Sequence, residues 1–200
     1  MDSFGGIEAA IIEATGRLAP EFTLPPLRPL IGPPLGRMLE IALPDASDGL
    51  REDLAAAFRE LYDGGLCCAC DLYPGVANHL ELWHGDGTLP AYLVTNKRLN
   101  PTLLLLRHFG IDGNFRRVVA TDGSVGSPSK AENLRLLVEE LGLAAADCLF
   151  VGDSADDHAA AEAIGMPFVA ASYGYGDAAA RAPHAVIRNF GELEPYLTAG

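Results

Sequence analysis

Two kinds of hydrophobic pattern divide the chain. Over the first eighty residues apolar positions recur at helical spacing between prolines, and from Leu72 onward short apolar runs alternate with longer amphipathic stretches. Ile7, Ile11, Ala14 and Leu18, behind a capping residue at Ser3, predict an amphipathic helix that ends before Pro20. Pro25-Pro26, Pro29 and Pro33-Pro34 exclude regular helix in the next stretch. Helical spacing resumes over 35–43 and 50–62, where Leu50, Leu54, Ala57, Phe58 and Leu61 share one face, so this region is predicted to be a small helical bundle.

The second pattern predicts strands over 92–94, 117–120, 148–151, 168–171 and 185–187. Between them lie helices over 103–109, over 131–141 with Leu134, Leu137, Val138 and Leu141 on one stripe, and over 157–164, closed by Gly165. Ser129 and Glu132 have the spacing of a capping box for the second of these helices. Strands alternating with helices define an α/β fold with a doubly wound parallel sheet.

Composition narrows the range of partners. The chain has 200 residues, 49% hydrophobic and 20% charged, enough for one globular unit with a small insert. A net charge of −13 argues against a nucleic-acid partner, because that affinity depends largely on Lys and Arg neutralising phosphates. The apolar runs are far shorter than the ~20 residues of a membrane span, and no basic segment followed by an apolar one opens the chain. A cytoplasmic protein, monomeric or homodimeric, is expected. Cys67, Cys68, Cys70 and Cys148 lack the paired spacing of a zinc site and read as small buried or half-buried thiols.

Chemistry is expected just beyond the strand ends, where parallel sheets hold their ligands. The first such end is Thr95-Asn96-Lys97, whose hydroxyl and amide can donate to a phosphate oxygen; a plain helix N-cap is the alternative. The second leads through the loop 121–129 to Lys130. A cation in the first turn of a helix opposes the macrodipole and invites an anion, unless it is simply a solvated surface lysine. The third is Gly152-Asp153-Ser154-Ala155-Asp156-Asp157, where crowded carboxylates need a cation to stay ionised together. Mg2+ suits them, since it takes few carboxylates and keeps sites for water and substrate phosphate. One of Asp156 and Asp157 is expected to serve the helix start, and Asp156 is the better candidate.

In that order, Thr95-Asn96, Lys130 and Gly152-Asp153 with Asp157 resemble the second, third and fourth motifs of the haloacid dehalogenase superfamily of phosphohydrolases. Met1-Asp2-Ser3-Phe4-Gly5-Gly6-Ile7, Ile31-Gly32-Pro33-Pro34-Leu35, Leu72-Tyr73-Pro74-Gly75-Val76 and Tyr173-Gly174-Tyr175-Gly176 look like its phosphoglycolate phosphatase-like branch. The resemblance implies a Rossmann-like α/β core over 76–200, a helical cap over 16–75, and a connection and first cap helix over 1–15. It also implies Mg2+ as cofactor and a small phosphorylated metabolite as substrate. Asp153 would ligate the metal and Asp157 support its shell, while Thr95 and Asn96 would bind the phosphoryl group and Lys130 neutralise it. Thr95 and Lys130 thereby count as catalytic, and the segments 31–35 and 66–70 would select the substrate.

The family's first motif, Asp-x-Asp-x-Thr on the central strand, precedes the segment that Met1-Asp2-Ser3 matches and is absent here. Asp2 has no apolar strand ahead of it to take over as nucleophile. The resemblance therefore implies a missing central first strand between those ending at Val94 and Val151, which either close up or leave open edges. The expected function is a Mg2+-dependent phosphatase working through an aspartyl-phosphate, impaired in this chain because the attacking aspartate is absent. A start upstream of Met1 and a true truncation both remain open. So do a catalytically dead phosphate- and metal-binding or interaction module, and 2-haloacid dehalogenase chemistry with the same nucleophile.

Overall fold

In the computed structural model, which describes residues 1–31, 34–85, 89–121, 127–180 and 183–197, the two patterns become two packing units, Met1–Asp71 and Leu72–Gly200. Gly32-Pro33 of the segment 31–35 and positions 122–126 of the loop before Lys130 lie outside the described residues.

The first unit holds α1 (Phe4–Leu18), α2 (Leu35–Ala42) and α3 (Asp48–Asp63). Ile11, Ala14, Met38, Leu39, Leu54 and Phe58 are buried, so the helical spacing marks the buried faces. Ser47 caps α3 by accepting from the Leu50 amide at 3.2 Å. At the start of α1, Ser3 occupies the capping position without a side-chain bond to the helix, and the Asp2 carboxylate accepts from the Phe4 amide at 3.1 Å instead. An antiparallel bridge, Asp2 amide to Asp71 carbonyl at 2.7 Å and the reverse at 3.2 Å, ties the two ends of the unit together. Gly6 allows α1 to lie against the 66–68 turn, because a Cβ there would sit 2.5 Å from the Leu66 carbonyl oxygen.

The second unit begins with α4 (Val76–Gly85), a helix the apolar pattern did not announce, although Val76, Leu80 and Trp83 share its inner face. Then follow β1 (Ala91–Arg98), α5 (Leu99–His108), β2 (Phe115–Thr121), α6 (Lys130–Leu141), β3 (Phe150–Gly152), α7 (Ala155–Ala163), β4 (Phe168–Ala171), β5 (Ala185–Ile187) and a last turn, α8 (Glu194–Leu197). α5 begins four residues ahead of the expected 103, because Pro101 lies in its first turn, where no intrahelical N–H is required.

Among the described residues the strands β1 to β5 pair in parallel in two ladders, β1-β2 and β3-β4-β5, and no pairing joins β1 to β3. Alternate residues face opposite layers. Val94, Phe150, Phe168 and Ala170 pack on the α6/α7 side with Leu134, Ala160 and Ala161. Ala91, Leu93 and Val118 face α4 and α5, while Val151, Val169 and Ile187 face Phe190 and Leu193. Trp83 belongs to both clusters of that second layer, so helices cover the strands on both sides. β4, paired along both edges, is buried throughout, whereas β1 and β3, each paired along one edge, are half-buried apart from the exposed Asn96.

Candidate active site

The polar groups gather where β1 and β3 end. In β1 the register with β2 breaks between Thr95 and Arg98, so Asn96 and Lys97 leave the ladder as a bulge. Thr95 Oγ1 accepts from the Lys97 amide at 3.1 Å and holds this turn. Arg98, not Thr95, occupies the N-cap position of α5, without a side-chain capping bond, which removes the plain N-cap reading of the threonine. The bulge sends Asn96 outward, and its Nδ2 donates to Asp156 Oδ2 at 2.9 Å.

Lys130 is fixed by the capping box predicted for its helix. Ser129 Oγ accepts from the Glu132 amide at 3.2 Å, and Glu132 Oε2 accepts from the Ser129 amide at 2.8 Å. The lysine is therefore the first residue of α6, with its side chain only 9% exposed, so it is no solvated surface group. Its Nζ meets Asp157 Oδ1 at 2.5 Å and Asp156 Oδ2 at 3.3 Å. An ammonium has three protons, so two carboxylates leave one for an incoming anion.

Asp157 is saturated from within. It is the third residue of α7, in a second capping box with Ser154, and its Oδ2 accepts from the Asp153 amide at 3.1 Å, the Ser154 amide at 3.0 Å and Ser154 Oγ at 2.7 Å. Burial pushes its carboxyl up, but the Lys130 bond and charge, joined by Ser154, outweigh that and hold it below the usual carboxylate range. Gly152 is needed beside it, because a Cβ there would lie 2.5 Å from the Asp157 side chain.

Asp153 is held differently. Its Oδ2 accepts from the Tyr175 amide at 2.7 Å and the Gly176 amide at 3.2 Å, and its carbonyl accepts from the Ala178 amide at 2.9 Å. Among the described residues Oδ1 accepts nothing. Among those residues, too, no three acidic, histidine or cysteine side chains converge as a metal cage. A single open carboxylate oxygen fits a cation that takes few protein ligands and keeps water and substrate oxygens, as Mg2+ does.

Of the residues expected to act, the structure joins Asn96, Lys130 and Asp157 in one network, and the Asp153 amide enters it through Asp157. The Thr95 hydroxyl stands at the same strand end but bonds only within its own turn. Asp156 was expected to serve the helix start, but the capping-box carboxylate is Asp157; Asp156 lies in the first turn of α7 with its side chain bridging Asn96 to Lys130. The amides of Tyr175 and Gly176 were missed as carboxylate donors, and no local pattern points to a contact 22 residues away. Asp2 is committed elsewhere, to the Phe4 amide and, at 3.7 Å, to Arg28, whose guanidinium lies 4.2 Å over the Phe4 ring.

Parallel strands covered on both faces, with a lysine, an amide and carboxylates gathered at their carboxyl ends, place the polar groups where open α/β sheets hold their ligands. The chain belongs to the haloacid dehalogenase-like hydrolases, whose family model matches residues 35–165. It is 35% identical over 167 residues to phosphoglycolate phosphatase of Yersinia pestis, covering 80% of this chain and 72% of the relative. The phosphoglycolate phosphatase of Xanthomonas campestris pv. campestris (strain 8004) is 34% identical over 158 residues, with 78% and 70% covered. Two solved structures share the fold at a TM-score of 0.84. A haloacid dehalogenase-like family protein of Streptococcus pneumoniae is 21% identical, with 98% of this chain and 92% of that one covered. A predicted phosphoglycolate phosphatase of Haemophilus somnus 129pt is 24% identical, with 97% and 91% covered.

Proposed function

We propose that this chain carries the phosphate- and cation-binding part of a Mg2+-dependent phosphatase acting on a small phosphate monoester of the phosphoglycolate type. One observation supports this most. A nearly buried lysine stands between two carboxylates at the strand ends, beside an aspartate that has one oxygen open. That pattern leaves one ammonium proton for a small anion and, with a cation held by Asp153, supplies the positive charge a phosphoryl group needs.

The roles follow from the contacts. Lys130, held by Asp157 and Asp156, offers its third proton to the phosphoryl oxygens, and Asn96 and Thr95 bind beside it on the β1 bulge. Asp153 would hold Mg2+ through its carboxylate, and Asp157 fixes the Asp153 amide. Bound there, Mg2+ neutralises charge on the phosphoryl group. Phosphoryl transfer to an aspartate is the proposed route, and the described residues place no carboxylate free for that attack beside Lys130. The homologous phosphatases and the acidic chain favour a small metabolite and no nucleic acid, and a cytoplasmic location belongs to the same proposal. Among the described residues no helix is long and apolar enough to cross a membrane.

The test is phosphate release from 2-phosphoglycolate and from an aryl phosphate, with Mg2+ or a chelator, by this chain and by one lengthened with its upstream codons. Mg2+-dependent release by the longer chain and little by the shorter supports the proposal. Equal release by both contradicts the view that the attacking aspartate lies outside this chain. Phosphate binding without release by either would make the chain a binding module.

A further inference from the structure

The Tyr173-Gly174-Tyr175-Gly176 segment meets Asp153 from above β4 and takes no part in the roles assigned so far. It is anchored at both ends. At its base Ser172 donates to the Ile187 carbonyl at 2.9 Å through both its amide and its hydroxyl, which ties the segment to β5. Beyond it, the Ala178 amide donates to the Asp153 carbonyl at 2.9 Å. The Tyr173 ring packs edge-on against Tyr73 with centroids 4.9 Å apart.

The glycines are explained by space and not by backbone conformation, since neither Gly174 nor Gly176 has a left-handed φ. A Cβ on Gly174 would fall onto the Asp153 carboxylate itself, and one on Gly176 would fall onto the Asp153 and Ser154 main chain. The segment therefore closes over the aspartate as tightly as backbone can, and the amides of Tyr175 and Gly176 both go to the same oxygen, Oδ2.

We propose that this glycine loop is a positioning element for the cation: it locks Oδ2 of Asp153 so that Oδ1 is presented in one fixed direction, and it thereby sets the affinity for the metal. The inference rests on the reading of Asp153 as the cation ligand. A carboxylate with one oxygen clamped loses less freedom when the other oxygen binds a cation. Partners that orient a metal ligand without touching the metal are worth about 10–100-fold in metal affinity.

The experiment is an electron paramagnetic resonance titration with Mn2+ of the unaltered chain and the Gly174→Ala, Gly142→Ala and Asp153→Asn variants, each checked by circular dichroism and thermal melting. Gly142 caps α6 at φ 66° with open space around it, so its alanine variant strains the backbone far from Asp153. The expected result is a Kd raised about 10–100-fold in Gly174→Ala, an unchanged Kd in Gly142→Ala despite a lower melting temperature, and lost binding in Asp153→Asn. Gly174→Ala at the unaltered Kd overturns the positioning role, while lost binding in Asp153→Asn leaves the cation reading standing. An unaltered Kd in Asp153→Asn, or no Mn2+ uptake by the unaltered chain, sinks the cation reading and this inference with it. If Gly174→Ala does not fold, the amide resonances of Tyr175 and Gly176 in the unaltered chain decide. They should shift with Mg2+ while that of Gly142 stays still, and unmoved resonances overturn the proposal.

Discussion

Asp153 and Asp157 lie four residues apart on the same turn and live under opposite conditions. Asp157 is surrounded by donors that the fold itself supplies: Lys130 on one oxygen, and Ser154 with two amides on the other. Asp153 gives one oxygen to the glycine loop and keeps the other open. A buried carboxylate with all its acceptor capacity used is a structural anion, and it cannot turn to a metal without abandoning its partners. A carboxylate held along one edge only is prepared for a ligand. Neighbouring residues of one type can thus divide stability and chemistry between them, and the hydrogen-bond partners show which is which.

Substitutions can break that comparison. The largest effect on cation binding is expected from Asp153→Asn, with a loss beyond the about 100-fold of an outer partner and little change in melting temperature. Asp157→Asn should do the reverse. Removing one member of a buried pair costs about 3 kcal/mol, a fall in Tm on the order of 10 °C for a chain of this size, measured by thermal melting. Ser154→Ala removes the cap of α7 and one donor to Asp157, and denaturant unfolding should show a loss of about 1 kcal/mol. The smallest effect is with pH. Because the folded carboxyl of Asp157 is held below its ordinary value of about 4, its stabilisation is complete above that value and is lost as pH falls through the lowered one. Urea midpoints measured from pH 6 down to 3 should decline more steeply in the unaltered chain than in Asp157→Asn.

Where the sequence spoke clearly, a local rule was at work. The capping box at Ser129 and Glu132 is complete in the structure, and the apolar run at 168–171 is the fully buried β4. The helices around Ile11, Leu39 and Leu54 bury the middle of the stripes their spacing marks, while Leu18 at the end of α1 is exposed and Ala55 and Tyr62 join the buried face of α3 in place of Leu50 and Leu61. Lys130 and Asp157 were legible as charged groups at helix starts, but their pairing spans 27 residues and only the packing of α6 on α7 brings them together. Asn96 meeting Asp156 depends on the β1 bulge, and a two-residue register break leaves no trace in hydrophobic alternation. α4 was missed although Val76, Ala77, Leu80 and Trp83 carry helical spacing, because the helix is short and follows directly on Pro74-Gly75, which reads as a turn. The split of the strands into two ladders is likewise a matter of tertiary pairing, which residue pattern along one strand does not encode.

The central claim, that Asp153 is the open ligand and Asp157 the saturated support, is tested most directly by measuring Mn2+ affinity and melting temperature together in Asp153→Asn and Asp157→Asn. The account predicts lost binding with an almost unchanged melt in the first. In the second it predicts a lowered melt, with binding retained to within about 100-fold of the unaltered chain. Retained binding in Asp153→Asn together with lost binding in a still folded Asp157→Asn would contradict it.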